Sequence, residues 1–220
     1  MKRTIMAAMM FAAIAQLSPA LAHSEPAKPG AAAAQRSVAV PVTGKESTGG
    51  TRDARTYFTD LELQTQDGRK VRFYSDVLEG RTVLINVIYT NCKDACPLIT
   101  QQLNDVRKRI PELFGKQVFF VTLTSDPKRD TPKALKAFAQ KQSADVEGWT
   151  FLTGPKERVD HILKKLGQFN EEVEAHSTLF IAGNVGAKRW SKIRPDAPAP
   201  LIAARLTELA AASPPAGDAP

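Results

Sequence analysis

The chain has 220 residues and a formal net charge of +7, with its 30 lysines and arginines spread along its length rather than clustered, which argues against a nucleic-acid-binding role. The mild basicity suits contact with an acidic partner or an anionic membrane surface instead. There are two cysteines, Cys92 and Cys96, too close together in sequence to staple a domain of this size.

Residues 1–22 read as a secretory signal. Lys2 and Arg3 supply the positive start, Ile5 to Ala15 the apolar stretch, and Ala20-Leu21-Ala22 the cleavage site. The apolar stretch is shorter than the roughly 20 residues that span a bilayer, although retention as an N-terminal anchor is the alternative. No cysteine near the cleavage site offers a lipid attachment point. Cleavage leaves 198 residues with a net charge of +5, in a compartment where disulfides persist. All four methionines lie within the first ten residues, so a soft-metal site in the mature chain rests on its two sulfurs.

Residues 23–56 are rich in Ala, Pro, Gly, Ser and Thr without hydrophobic periodicity, which predicts a flexible linker. Residues 212–220 predict a disordered tail. Residues 57–211 are about the size of one domain. Within it, Leu61 to Leu63 and Val71 to Phe73 flank Asp67-Gly68, a hairpin signal. Val83 to Tyr89 is nearly all apolar, as in a central strand buried on both faces. Leu98, Leu103, Val106 and Ile110 give helical spacing over 98–113, and Gln117 to Thr124 is a second buried strand. Asp130-Thr131-Pro132 starts a helix that runs to about Gln142. Trp149 to Leu152 is a short strand, and Pro155 to Leu166 is a helix closed by Gly167. A late hairpin turns around Asn184 to Gly186, and a last helix covers Pro200 to Ala211. This order predicts an α/β, thioredoxin-like three-layer sandwich with an N-terminal β-hairpin and an extra late hairpin.

Cys92 and Cys96 then fall where the first long strand ends and a helix begins. Pro97 suits a first helical turn, which places Cys96 at or beside the N-cap, where the helix dipole and free N–H groups favour a thiolate. Cys92, on the loop, is the more accessible sulfur. A purely structural disulfide here has little to offer, because closing a loop of about five residues is worth roughly 2 kcal/mol against about 4.7 for a loop of 100. Metal capture and thiol chemistry are the stronger readings.

A metal needs a third ligand, and three histidines follow the signal. His161 lies in the middle of a helix and reads as a surface residue. His23, as a new N-terminus, could chelate Cu(II) with its amine. His176 precedes a strand, and in this fold that loop packs beside the cysteine loop. A Cys92–Cys96–His176 set suits Cu(I), with Cu(II) as a second state.

Four segments resemble the SCO/SenC family: Tyr89-Thr90 with Cys92, Asp94 and Cys96-Pro97; Ser125-Asp126-Pro127 with Arg129-Asp130-Thr131-Pro132; Trp149 to Gly154; and His176-Ser177. The likeness covers about Thr56 to Leu201. It implies a thioredoxin fold that holds copper through Cys92, Cys96 and His176 and delivers it to the Cu-A site of cytochrome c oxidase, or maintains that site's thiols. The sequence departs from the family's usual pattern at Lys93, where proline is common, at Asn184-Val185-Gly186, where Asp-x-x-Gly is frequent, and in its cleavable signal in place of an anchor.

The implied protein is a periplasmic or exported copper chaperone, soluble after cleavage. Its partners are the copper-bearing oxidase subunit or another cuproprotein, together with a periplasmic copper donor. It touches the membrane only through a partner. Asp94 and Glu174 are candidates for tuning the site or guiding docking. The alternative is a thiol–disulfide oxidoreductase using Cys92 and Cys96. Against it stand the three-residue spacer and the absence of proline in His176-Ser177-Thr178. Peroxidase chemistry lacks a threonine and arginine setting around Cys92.

Overall fold

The computed structural model describes residues 54–212; the expected signal, His23, most of the expected linker and nearly all of the tail lie outside them. A short helix, α1 (Ala54–Phe58), begins inside the segment read as linker. It is held there by aromatic packing: Phe58 is buried between Phe73 and Trp190, with ring centroids 6.4 and 5.1 Å away. The Tyr57 hydroxyl donates to the Lys165 carbonyl at 2.6 Å.

The expected first hairpin forms from β1 (Glu62–Thr65) and β2 (Lys70–Arg72). Phe73, expected in its second strand, instead opens a π-helical turn over Phe73–Leu78, and this turn buries Phe73, Tyr74, Val77 and Leu78. Apolar spacing in so short a segment does not distinguish a strand from a wide helical turn. The central elements follow as β3 (Thr82–Ile88), α2 (Ala95–Arg109), β4 (Val118–Thr124), α3 (Pro132–Lys141), β5 (Trp149–Thr153) and α4 (Lys156–Leu166). The chain ends with β6 (Phe180–Asn184), β7 (Arg189–Ile193) and α5 (Ala199–Ala211).

One seven-stranded sheet runs β2-β1-β5-β4-β3-β6-β7. The three inner strands β5, β4 and β3 are parallel, and both flanking hairpins join antiparallel. Strand β3 is buried at every residue because helices cover both faces. Leu84 and Ile88 face a core with α2, α3 and α5, while Val83, Ile85 and Val87 face one with α1, the π-turn and α4. This is the expected three-layer arrangement.

Local signals account for the helix ends. Thr131 caps α3, accepting from the Ala134 N–H at 3.3 Å, with Pro132 in the first turn. Gly167 closes α4 in the left-handed region at φ 67°. In the late hairpin, Gly183 pairs with Trp190, and a Cβ on residue 183 would fall 2.2 Å from the Trp190 ring. Gly183→Ala is therefore expected to lower stability by about 1–3 kcal/mol through overpacking, read as a lower urea midpoint with an unchanged slope.

Candidate metal centre at the cysteine loop

Residues 89–94 connect the end of β3 to the start of α2. Antiparallel pairing brings β6 in beside β3, with Ile85 opposite Ile181. The chain that enters β6, including His176, therefore lies at the end of the sheet where the cysteine loop emerges. That topology places residues 80 apart in sequence, Cys96 and His176, on one edge of the fold.

The two sulfurs are adjacent. The Cys96 N–H donates to Cys92 Sγ at 3.3 Å. Both thiols are free, with Cys92 partly exposed, the more accessible sulfur as its place on the loop predicts, and Cys96 buried. The helix starts earlier than its apolar spacing implies, at Ala95, with Asp94 as N-cap. Cys96 is therefore the second helical residue, and its side chain points into the core at 1% exposure.

This position reverses the expected acidity of Cys96. Burial pushes its thiol up to about 12, against the pull of the Tyr89 backbone. At Cys92 burial also opposes ionisation, but hydrogen bonds from Cys96, Asp94 and Tyr89 outweigh it and hold the thiol below its ordinary value. The pair thus combines one accessible sulfur poised to ionise with one buried sulfur that keeps its proton.

His176 is also buried. Its Nδ1 lies 2.7 Å from the Val173 carbonyl and its Nε2 lies 3.2 Å from the Val87 carbonyl. A neutral imidazole has one N–H, so it donates to only one of these two carbonyls; with that proton on Nδ1, whose contact is shorter, Nε2 would hold the lone pair that a metal takes. Among the described residues no three His, Cys, Asp or Glu side chains are gathered closely enough to hold a metal ion. The sulfur pair fits a soft cation; a third ligand requires Nε2 to turn away from Val87.

His161 is exposed on α4, as expected. Asp94 and Glu174 are exposed, Glu174 on a short turn (Val173–Ala175) just before His176. Two residues that the sequence did not mark as functional stand out. Tyr89 packs edge-on against the His176 ring at 5.7 Å between centroids, while its carbonyl accepts from the Cys92 N–H at 3.2 Å. Asp130, read as a helix-start signal and as part of a family segment, is buried. It accepts from the Thr90 N–H at 3.1 Å and from the Thr90 and Thr124 hydroxyls at 2.5 Å, which anchors the cysteine loop to the start of α3. The run Arg129-Asp130-Thr131-Pro132 was the available signal, but nothing local distinguishes a capping carboxylate from one turned inward.

Among the described residues no helix is long and apolar enough to cross a membrane. The chain is 36% identical over 92 residues to the SCO1 protein homolog of Bacillus subtilis, covering 42% of this chain and 46% of that one. It is 30% identical over 106 residues to a Stutzerimonas stutzeri protein named for copper binding, covering 48% and 50%. The chain spans about half the length of these curated relatives. In three dimensions it resembles BsSco, a member of the Sco family of cytochrome c oxidase assembly proteins in which a disulfide switch was identified, with a TM-score of 0.57, 25% identity and coverage of 70% of this chain and 92% of that one. The family model SCO1/SenC matches residues 49–209, a span that holds the whole sheet, the cysteine pair and His176, and the chain belongs to the SCO1/SenC family.

Proposed function

We propose that this protein is an exported copper chaperone that carries Cu(I) on Cys92, Cys96 and His176. It passes the ion to the Cu-A site of cytochrome c oxidase, or to another cuproprotein, after receiving it from a periplasmic donor. The observation that carries this reading is the adjacent, unequal thiol pair with a buried imidazole on the same edge of the fold. Copper is the cargo. Cys92, partly exposed and held below its ordinary value, is the sulfur that meets it. Cys96 releases its proton as it joins, and His176 completes a soft set that an acceptor's own ligands can displace one at a time. The copper-binding relative and the oxidase-assembly relative support the same reading.

The test is competition with a Cu(I) chelator using reduced protein. We expect tight one-to-one binding and a loss of at least about tenfold in His176→Ala. Removing a residue that merely supports a ligand already costs 10–100-fold, and removing a ligand costs no less. Equal affinity in wild type and variant would remove His176 from the set.

A second reading, reduction of a partner's disulfide, is favoured by the unequal acidity of the thiols. The Cys92 thiolate would attack one partner sulfur and release the other as a thiolate. Cys96 would then lose its proton and attack Cys92 Sγ, freeing the second partner thiol and leaving a Cys92–Cys96 disulfide for an external dithiol to reduce. Turnover of insulin disulfides that is unaffected by His176→Ala supports this role.

A further inference from the structure

We propose that Thr90 is a positioning residue that keeps Cys92 within reach of Cys96 by clasping the cysteine loop to the buried carboxylate of Asp130. For copper this rests on the reading above, which it deepens; the hold on the thiols does not depend on the metal. Residues 89–92 form a tight turn, closed by the Cys92 N–H donating to the Tyr89 carbonyl at 3.2 Å, and Thr90 is its first central residue. The direction in which the chain leaves the turn, and with it the place of Cys92, follows from the conformation of Thr90. Thr90 is only partly buried, yet its N–H and its hydroxyl both donate to Asp130, at 3.1 and 2.5 Å.

The carboxylate is a fixed point. Asp130 is 1% exposed. The Thr124 hydroxyl, at the end of β4, donates to it at 2.5 Å. Its own N–H donates to the Asp126 carbonyl at 2.9 Å, and the next residue, Thr131, caps α3. Cys96 is fixed as well, inside the first turn of α2. The separation of the sulfurs is therefore set by how the loop between them is tied down. Tied at Thr90, the loop holds Cys92 where its sulfur accepts from the Cys96 N–H. Untied, it gains arrangements in which Cys92 swings away. Only the closed arrangements let both sulfurs grip one ion or join as a disulfide. Both equilibria then fall by the same factor, the fraction of time the loop is closed.

Thr90→Val removes the hydroxyl and keeps the N–H and the shape. Equilibration with glutathione reads the pair without metal: the thiols pass two electrons to oxidised glutathione, form one S–S bond and release two glutathione thiols. The constant for this exchange is expected to fall about fivefold in Thr90→Val, the worth of one hydrogen bond, and Cu(I) affinity in chelator competition to fall by the same factor. Thr90→Ser keeps the hydroxyl and is expected to match wild type in both assays. Thr124→Val removes a bond to the same carboxylate from the strand side, outside the loop. It is expected to lower the urea midpoint and to leave both equilibria close to wild type. Thr90→Ala supplies a second loss of the hydroxyl should the valine variant not fold. A shift in Thr124→Val as large as in the Thr90 variants overturns the proposal, because lost stability alone then accounts for it. So does a Thr90→Ser that shifts like Thr90→Val, and so do unchanged equilibria in Thr90→Val and Thr90→Ala. Failure of the copper reading gives a different pattern: no Cu(I) binding beyond that of Cys92→Ser/Cys96→Ser in any variant, with the glutathione arm still reporting on Thr90.

Discussion

Cys92→Ser/Cys96→Ser is expected to lose Cu(I) by on the order of a thousandfold or more, about 4 kcal/mol, because hydroxyls do not replace soft thiolates for this ion. The single variants should fail differently. Cys92 is the partly exposed thiol held below its ordinary value, so Cys92→Ser slows capture. Cys96 is buried, so Cys96→Ser leaves capture intact and speeds loss to a chelator. Stopped-flow transfer from and to a chelator separates the two. Equal rates of capture in both singles would show that the difference in exposure does not govern entry. The proton on Cys96 adds a pH signature. Its thiol is pushed up to about 12 by burial, so binding must expel that proton at any pH below this value. Apparent Cu(I) affinity is therefore expected to rise at least about tenfold per pH unit through the neutral range, and more steeply wherever Cys92 also starts protonated. A flat profile would mean that Cys96 does not bind as a thiolate. Iodoacetamide should label Cys92 well before Cys96 in the metal-free protein, read by peptide mass.

Asp130→Ala is expected to lower stability by about 3 kcal/mol. The variant leaves the Thr90 N–H and the Thr90 and Thr124 hydroxyls without their shared acceptor in a buried site, and unsatisfied buried donors cost about 1–3 kcal/mol each, less whatever the loop recovers by relaxing toward water. Asp130→Asn keeps one oxygen acceptor and should lose less. The pH dependence distinguishes charge from packing. Burial raises the Asp130 carboxyl above its ordinary value of 3.8, more than the Thr124 and Thr90 hydrogen bonds lower it. Between the unfolded and the folded value the native chain keeps a proton that the unfolded chain has released. The contribution of this linkage to stability is complete below 3.8 and is lost as pH rises through the folded value. Wild-type stability relative to Asp130→Asn is thus expected to be greatest in acid and to decline toward neutrality, measured by urea unfolding across that range. A difference that grows with pH would mean that the carboxylate is stabilised in place. Because Thr90 lies between Tyr89 and the cysteine loop, the same variants should also loosen the thiol pair.

Much of the architecture is legible from short stretches. The apolar run that becomes β3 is continuous because both of its faces are covered. The Thr131-Pro132 start of α3 and the Gly167 stop of α4 are made within one helical turn. The start of α2 is not legible in this way. Leu98 is the first apolar residue of the spacing, yet among the described residues it is one of two large apolar side chains left well exposed, at 66%. The residues that anchor the first turn to the core are Cys96 and Ile99. Reading Leu98 as a core position shifted the expected start and left Cys96 on the helix edge rather than inside it. Phe73 misled for a related reason: it is an apolar residue at strand spacing that the tertiary fold uses in a π-turn under Phe58.

The amino-acid order alone determined the family motif, the alternation of strands and helices, and which cysteines and which histidine are the candidates for the chemistry, because each of these is written in residue type and spacing along the chain. Only the folded chain decided how those groups behave. Cys96 holds its proton because α2, β3 and α5 close over it, His176 turns its Nε2 toward Val87 because β6 enters beside β3, and Tyr89 and Asp130 meet partners 40 to 87 residues away. Acidity and ligand direction follow from desolvation and from long-range contacts, which exist only once distant segments share one core.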